Sequence, residues 1–323
     1  MEPVVKRKDW IDVLRAWAMI FVVFGHAMGG WTEFFVYTSP IKMPMFFAIS
    51  GYLFNIRNGK QSAFFKNIIL RLIVPWILLS TLPLMFYIPF TGISTFFKGF
   101  LLHISGEKGW FIPCFIIAQI IFFYSIKVTR NLEQLIIVCL IYTSLGLYAS
   151  SHHLMRFMCV DVAFTVQFYF LIGHLIRKNE KLWENTPLQR TLLGPLAYIL
   201  LCTLSLWAFP GKTLDVHMGR YFNYAFCAII IIIGCVSLFV NFSKLNKHPR
   251  ILILIGKSTL VIYLWNIYFI GIIRKLFTHF GLPTGNSLFY GLVGTTFACL
   301  VCTICSLFLE RYFPWAIGIR KKK

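Results

Sequence analysis

The sequence predicts an all-α, polytopic membrane bundle of about ten transmembrane helices in one domain, 1–323, with both termini in the cytoplasm. Three observations lead there. First, 58% of the residues are hydrophobic and only 13% are charged, against about 25% charged in a soluble domain, and mean hydropathy is +0.75. So little polar surface cannot cover a water-soluble globule. Second, the chain divides into apolar runs of about 20 residues, the length that crosses a bilayer as a helix. Third, the basic residues alternate between the connections. The N-terminus and segments 57–71, 127–130, 177–190, 244–250 and 311–323 hold 22 of the 31 Lys and Arg, the intervening connections hold eight, and Lys257 lies within a run. The rich set faces the cytoplasm by the positive-inside rule. Both ends belong to that set, which requires an even number of spans.

The expected helix cores are 11–31, 41–56, 72–90, 110–127, 133–150, 158–176, 191–209, 221–241, 251–273 and 287–309. The net charge of +20 does not point to nucleic acid, because the basic residues punctuate apolar runs instead of clustering on a soluble module. Lys6-Arg7-Lys8 followed by an apolar run ending at Ala27-Met28-Gly29 has the outline of a secretory signal. Asp12 and Arg15 sit awkwardly in that outline, so a first span is preferred. The longest outer connection, 91–109, has room for a short re-entrant or interfacial helix. Cys299, Cys302 and Cys305 drift around the last span with no His or carboxylate beside them and read as small packing residues.

The first span carries the chemistry. Arg15 and His26 are eleven residues apart, about 1100° of turn, which leaves them within roughly 20° of one face and about 16 Å apart along the axis. Arg15 then lies near the cytoplasmic boundary and His26 deep in the outer half. An ionisable residue inside a span is expensive and marks a functional site by default; the alternative is a structural His bonded to a neighbouring helix. Asp12, three residues before Arg15, can pair with it, either to hold the cation or simply as a salt bridge. Glu33 returns to nearly the face of His26 if the helix continues that far, or is a solvated loop carboxylate.

The second span opens with Lys42-Met43-Pro44-Met45-Phe46-Phe47 and continues to Ser50-Gly51-Tyr52. Pro44 frees a carbonyl, and Ser50-Gly51 lets a helix approach closely. Arg71 at the start of the third span is placed to meet phosphate, whereas Arg57 and Lys66 read as topogenic charge. Trp110 opens the fourth span and is either an interfacial ring or a platform for a sugar face. In the ninth, Lys257 either snorkels or contributes to a cationic mouth, and Asn266, about 14 Å deeper, needs buried partners. Glu310-Arg311 follows the tenth span as a local ion pair.

These pieces in this order resemble the acyltransferase-3 family of integral membrane acyltransferases, and most nearly its compact, fucose 4-O-acetylase-like branch. The resemblance rests on Asp12-x-x-Arg15 with His26 after ten more residues, Met43-Pro44-Met45-Phe46-Phe47 with Ser50-Gly51-Tyr52, Arg71-Leu72-x-x-Pro75, Trp110-Phe111, Gly256-Lys257-Ser258-Thr259 with Tyr263-Leu264-Trp265, and Glu310-Arg311 ahead of Pro314. It covers nearly the whole chain. Two positions depart from it: the run after Tyr263-Leu264-Trp265 usually ends in His and here ends in Asn266, and Lys42 stands where the branch often has His.

The resemblance implies an O-acyltransferase that moves an acyl group, usually acetyl from acetyl-CoA, to a hydroxyl of a cell-surface or lipid-linked glycan in the cell inner membrane. It implies His26 as general base with Arg15 and Glu33 beside it. Arg15, Asp12, Arg71, Lys257 and Glu310 would face the acyl-CoA, and Trp110, Ser50, Tyr263 and Asn266 the glycan. The expected partners are acyl-CoA, the glycan and membrane lipids, with no metal, no nucleic acid, and room for a homo-oligomer. The competing reading is a transporter or flippase of a lipid-linked glycan; the chain has no clear internal repeat of the kind such folds carry.

Overall fold

The computed structural model describes residues 8–29, 32–54, 61–185, 187, 191–208, 224–245, 247–284 and 287–319. Lys6, Arg7, Arg57 and the side chain of Glu33 lie outside the described residues. Among those described, the regular structure is helical throughout. The elements are α1 Asp9–Met28, α2 Thr32–Leu53, α3 Gln61–Ile68, α4 Val74–Thr91, α5 Ile93–Ile104, α6 Phe111–Val128, α7 Leu132–Ser151, α8 Val160–Thr165, α9 Gln167–Lys178, α10 Glu180–Glu184, α11 Leu193–Ala208, α12 Tyr224–Ser243, α13 Arg250–Lys257, α14 Thr259–His279 and α15 Leu288–Tyr312.

Six helices among the described residues are long and apolar enough to cross a membrane: Asp9–Met28, Gln61–Phe86, Phe111–Val128, Leu132–Ser151, Thr259–His279 and Leu288–Tyr312. The pair Phe157–Thr165 and Gln167–Lys178, bent by 45°, makes a seventh if taken as one span. The described parts of the expected segments 41–56, 191–209 and 221–241 also fall on helices. The first lies in Thr32–Leu53, which contains Pro40 and Pro44, and the other two in the shorter apolar helices Leu193–Ala208 and Cys227–Ser243. The long connection 91–109 does contain a helix, α5.

The central element is α1, which packs against α2, α12, α13, α14 and α15. It ends sooner than the sequence suggests. Gly29 adopts φ 67° and its N–H closes on Gly25 O at 3.2 Å, a left-handed cap that glycine takes without penalty. Glu33 therefore belongs to α2, and its expected return to the His26 face on one continuous helix is overturned by that cap.

Glycines set the closest helix contacts. A Cβ at Gly51 would lie 2.0 Å from Phe170 O, and one at Gly173 would lie 1.8 Å from Ala48 O. The two glycines thus open α2 and α9 to each other from both sides, in the manner of small residues at membrane helix interfaces. Gly256 does the same for α13 against α1, where a Cβ would lie 1.8 Å from Asp12 O.

Two breaks in the helices are met by side chains. Pro83 has no N–H to give to Leu79 O, and the Trp265 indole donates to that carbonyl at 2.8 Å. At the bend between α8 and α9, the Gln167 amide donates to Ala163 O at 2.8 Å and across to Ala118 O at 3.1 Å. The arginine of the third expected span, Arg71, sits in a π-turn, Ile69–Ile73, between α3 and α4.

At the start of α1, Lys8 donates to Glu180 and, at 2.9 Å, to the Tyr52 hydroxyl, which itself donates to Glu180 at 2.8 Å. Burial pushes the Glu180 carboxyl up, but the bonds from Lys8 and Tyr52 outweigh it and hold the group below its usual value. Burial likewise pulls the Lys8 ammonium down, and its bonds to Glu180 and Tyr52 leave it raised. A carboxyl depressed in the fold stabilises above its unfolded value and loses that contribution as pH falls through its folded one. We expect the wild-type melting temperature to fall more steeply below about pH 4.5 than that of Glu180→Gln, measured by scanning fluorimetry. The difference should correspond to no more than about 1 kcal/mol, because both partners are partly exposed.

Candidate active site

A cavity of about 690 Å³ opens beside the C-terminal half of α1. Val22, Gly25 and His26 of α1, Phe35, Ser39, Lys42 and Met43 of α2, and Leu84 of α4 line it. His103 of α5, Glu107 to Trp110 of the following loop, and Tyr263, Leu264, Ile267 and Tyr268 of α14 complete the wall. His26 is exposed to this space although the helix around it is buried.

The His26 ring is fixed by its neighbour. Its Nδ1 lies 2.8 Å from Asn266 Oδ1, and the Asn266 amide nitrogen donates to Ile262 O and Tyr263 O, each at 2.8 Å. Those two donations orient the amide, so its oxygen faces the imidazole. An oxygen can only accept, so Nδ1 carries the proton and Nε2 holds the lone pair. Asn266 is fully buried, which makes its fixed orientation rigid. We expect Asn266→Ala to lower turnover by about 10- to 100-fold, as loss of an orienting partner does at comparable sites, with little change in KM. Steady-state kinetics in membranes separates the two.

The same stretch of α14 serves three helices. Tyr263 accepts from Phe111 N–H at 3.2 Å, satisfying one of the free donors at the start of α6. Trp265 closes the proline break in α4, and Asn266 holds the imidazole on α1. Of the residues predicted to face the acceptor, Trp110 and Tyr263 line the cavity and Asn266 stands directly behind its imidazole. Ser50 does not reach it: its hydroxyl donates to Phe46 O on its own helix at 2.9 Å.

The residues expected to meet the donor form a separate group. Arg15 lies 3.5 Å from Asp12 Oδ1, whose side chain is only 2% exposed. The Gly256 contact with Asp12 O brings the next residue, exposed Lys257, to the same level of the bundle. Arg71 is exposed, and its backbone is covered by Gly318 at φ 74°, just beyond the turn that follows Glu310. Arg15, Arg71, Lys257 and Glu310 are all absent from the lining of the His26 cavity.

Sequence reasoning passed over His103, Glu107, Lys108 and Tyr268 as wall residues. The one available signal was an outer connection long enough to fold back over the bundle. It also treated Lys42 only as a departure. In the structure Lys42 Nζ stands 4.6 Å from the Phe35 ring centroid and 3.7 Å from where a Cβ on Gly25 would be, beside His26.

Comparison with known proteins gives one match: a family model described as an acyltransferase domain covers residues 8–309. No curated protein and no solved structure matches the chain.

Proposed function

The chain belongs to the acyltransferase-3 family and is a membrane acyltransferase; from that premise we propose that it transfers acetyl from acetyl-CoA to a hydroxyl of a cell-surface or lipid-linked glycan, with His26 as general base. The observation that carries this reading is the imidazole fixed by Asn266, with Nε2 left as its basic atom, at the wall of a roomy cavity. An alcohol is a poor nucleophile until its proton is taken during attack, and a positioned imidazole contributes typically 10²–10⁴-fold to such a step.

In the proposed step the acceptor oxygen bonds to the thioester carbonyl carbon while His26 Nε2 takes the hydroxyl proton. The carbonyl oxygen becomes an oxyanion, for which the Lys42 ammonium beside Gly25 is a donor within the same cavity. Collapse re-forms the carbonyl and breaks the carbon–sulfur bond. The leaving thiolate takes the proton from the imidazolium, giving the ester, free CoA and the starting base.

The reading includes ten spans in the inner membrane, with Thr32–Leu53, Leu193–Ala208 and Tyr224–Ser243 added to the seven above, and both termini in the cytoplasm. The nucleotide of CoA then meets Arg15, Lys257 and Arg71 from the cytoplasmic side, with Asp12 holding Arg15 and Glu310 close to the same mouth. The acceptor enters the His26 cavity from the outer side. Membership of the compact, fucose 4-O-acetylase-like branch is part of the same proposal.

The test is incorporation of radiolabelled acetyl from acetyl-CoA into glycan by proteoliposomes, recovered as a hydroxylamine-labile ester. Movement of a lipid-linked glycan across the vesicle with no CoA release overturns the reading in favour of a flippase. The broken α8–α9 pair is a feature that would suit a transporter. Its break is filled by Gln167.

A further inference from the structure

We propose that the end of α5 and the loop that follows form an acceptor-sugar subsite, in which His103 and Glu107 accept hydrogen bonds from hydroxyls other than the one that reacts. This rests on the proposed glycan acetylation and deepens it by naming the residues that hold the acceptor ring's other hydroxyls. Three observations carry it.

His103 shares the cavity wall with His26, and its ring is fixed in the same way. Its Nδ1 bonds to Gly99 O at 2.8 Å. A carbonyl only accepts, so Nδ1 carries the proton there and Nε2 remains as the ring's hydrogen-bonding atom. The same cavity therefore holds two imidazoles, each with its Nδ1 engaged by protein. One hydroxyl needs one base, and the second ring suits a second hydroxyl.

The loop itself is held in place. Ser105 N bonds to Leu101 O at 2.8 Å, Lys108 N to Leu102 O at 2.9 Å, and Met158 N reaches across to Ser105 O at 2.8 Å. Gly109 turns at φ 71° and passes close to the His103 ring, with a Cβ there 3.7 Å from His103 Cδ2. Groups on such a loop can fix a ligand's orientation because little freedom is lost when it binds.

Its chemistry matches a sugar ring. A carbohydrate presents hydroxyls around an edge and C–H groups on a face. Glu107 and His103 offer acceptors for the edge, Lys108 offers donors, and the Trp110 ring offers an aromatic face. A monohydroxylic alcohol would leave most of these polar groups without a partner, and a site built to bond hydroxyls rejects analogues lacking them.

The test uses wild-type protein in proteoliposomes with acetyl-CoA and a panel of methyl glycosides of hexoses, 6-deoxyhexoses and N-acetylhexosamines. We expect at least one glycoside to be acetylated. We expect His103→Ala to raise the KM for that glycoside about tenfold, with kcat and the KM for acetyl-CoA changing less than twofold, and His103→Gln, which keeps an acceptor, to recover most of the loss. Glu107→Ala, at an exposed position that folding tolerates, removes the acceptor and should raise the same KM. An unchanged glycoside KM in both His103→Ala and Glu107→Ala, each monodisperse by size exclusion, overturns the subsite while leaving the acyltransferase intact. Transfer to 1-butanol but to no glycoside does the same. Failure of the wild type to release CoA with any acceptor removes the acyltransferase reading and this subsite with it.

Discussion

His26→Ala should lose about 10²–10⁴-fold in acetyl transfer to glycan, the usual contribution of a general base, while the protein remains folded and inserted. The physical grounds are local. Nothing else on α1 near this position can take a proton: the cavity-lining residues of the helix are Val22, Gly25 and His26. His103 and Glu107 share the cavity but sit across it, at the end of α5 and on the loop that follows. His26→Gln should be almost as inactive, because an amide can fill the space and still bond Asn266 but cannot accept a proton near neutral pH. The measurement is labelled acetyl incorporation at saturating acetyl-CoA, with a monodisperse size-exclusion profile as the folding control. Activity within threefold of wild type in His26→Ala would remove His26 from the mechanism.

The second large effect is structural. Gly256→Ala should destabilise the folded protein by about 3 kcal/mol or more, at the upper end of overpacking costs. The added methyl would lie 1.8 Å from Asp12 O, 2.5 Å from Asp12 C and 2.9 Å from Asp12 Cα. All three are backbone atoms, so no side-chain rotation relieves the clash and the helices must separate. Since Asp12 pairs with Arg15, the displacement also disturbs the group assigned to the donor. Gly271→Ala is the control. A Cβ there meets nothing within 4 Å, and replacing a helical glycine by alanine gains about 0.8–1.0 kcal/mol in propensity. Thermal unfolding in detergent should therefore move in opposite directions for the two variants. Equal shifts would contradict the close approach of α1 and α13.

The helical class was legible because composition and run length decide it: a chain this apolar has to satisfy its backbone internally. Helical periodicity turned the spacing of Arg15 and His26 into a shared face of α1, but not into a shared cavity, whose lining includes His26 and not Arg15. What the sequence concealed were the terminations. The prolines in α2, the bend at Val166 and the break at Ser258 were weak signals in runs that remain apolar on both sides. The Gly29 cap had a visible cue in Gly29-Gly30, yet the apolar and aromatic residues beyond it kept the helical pattern going, and that misplaced Glu33. Asn266 could be read as needing a partner, but its pairing with His26 joins residues 240 apart in sequence, and no local pattern specifies such a contact. The wall supplied by His103 and Glu107 was hidden for the same reason: a polar connection shows its composition but not the direction in which it folds.

The indole that closes the gap left by Pro83 has a further consequence. Immediately beyond that proline, Leu84 forms part of the chamber wall and packs on Gly99, whose carbonyl holds His103. A bent rod pinned at its elbow by a neighbour has a fixed forearm. The breadth of the chamber is thus tied at a distance to Trp265, a residue that does not itself border the space.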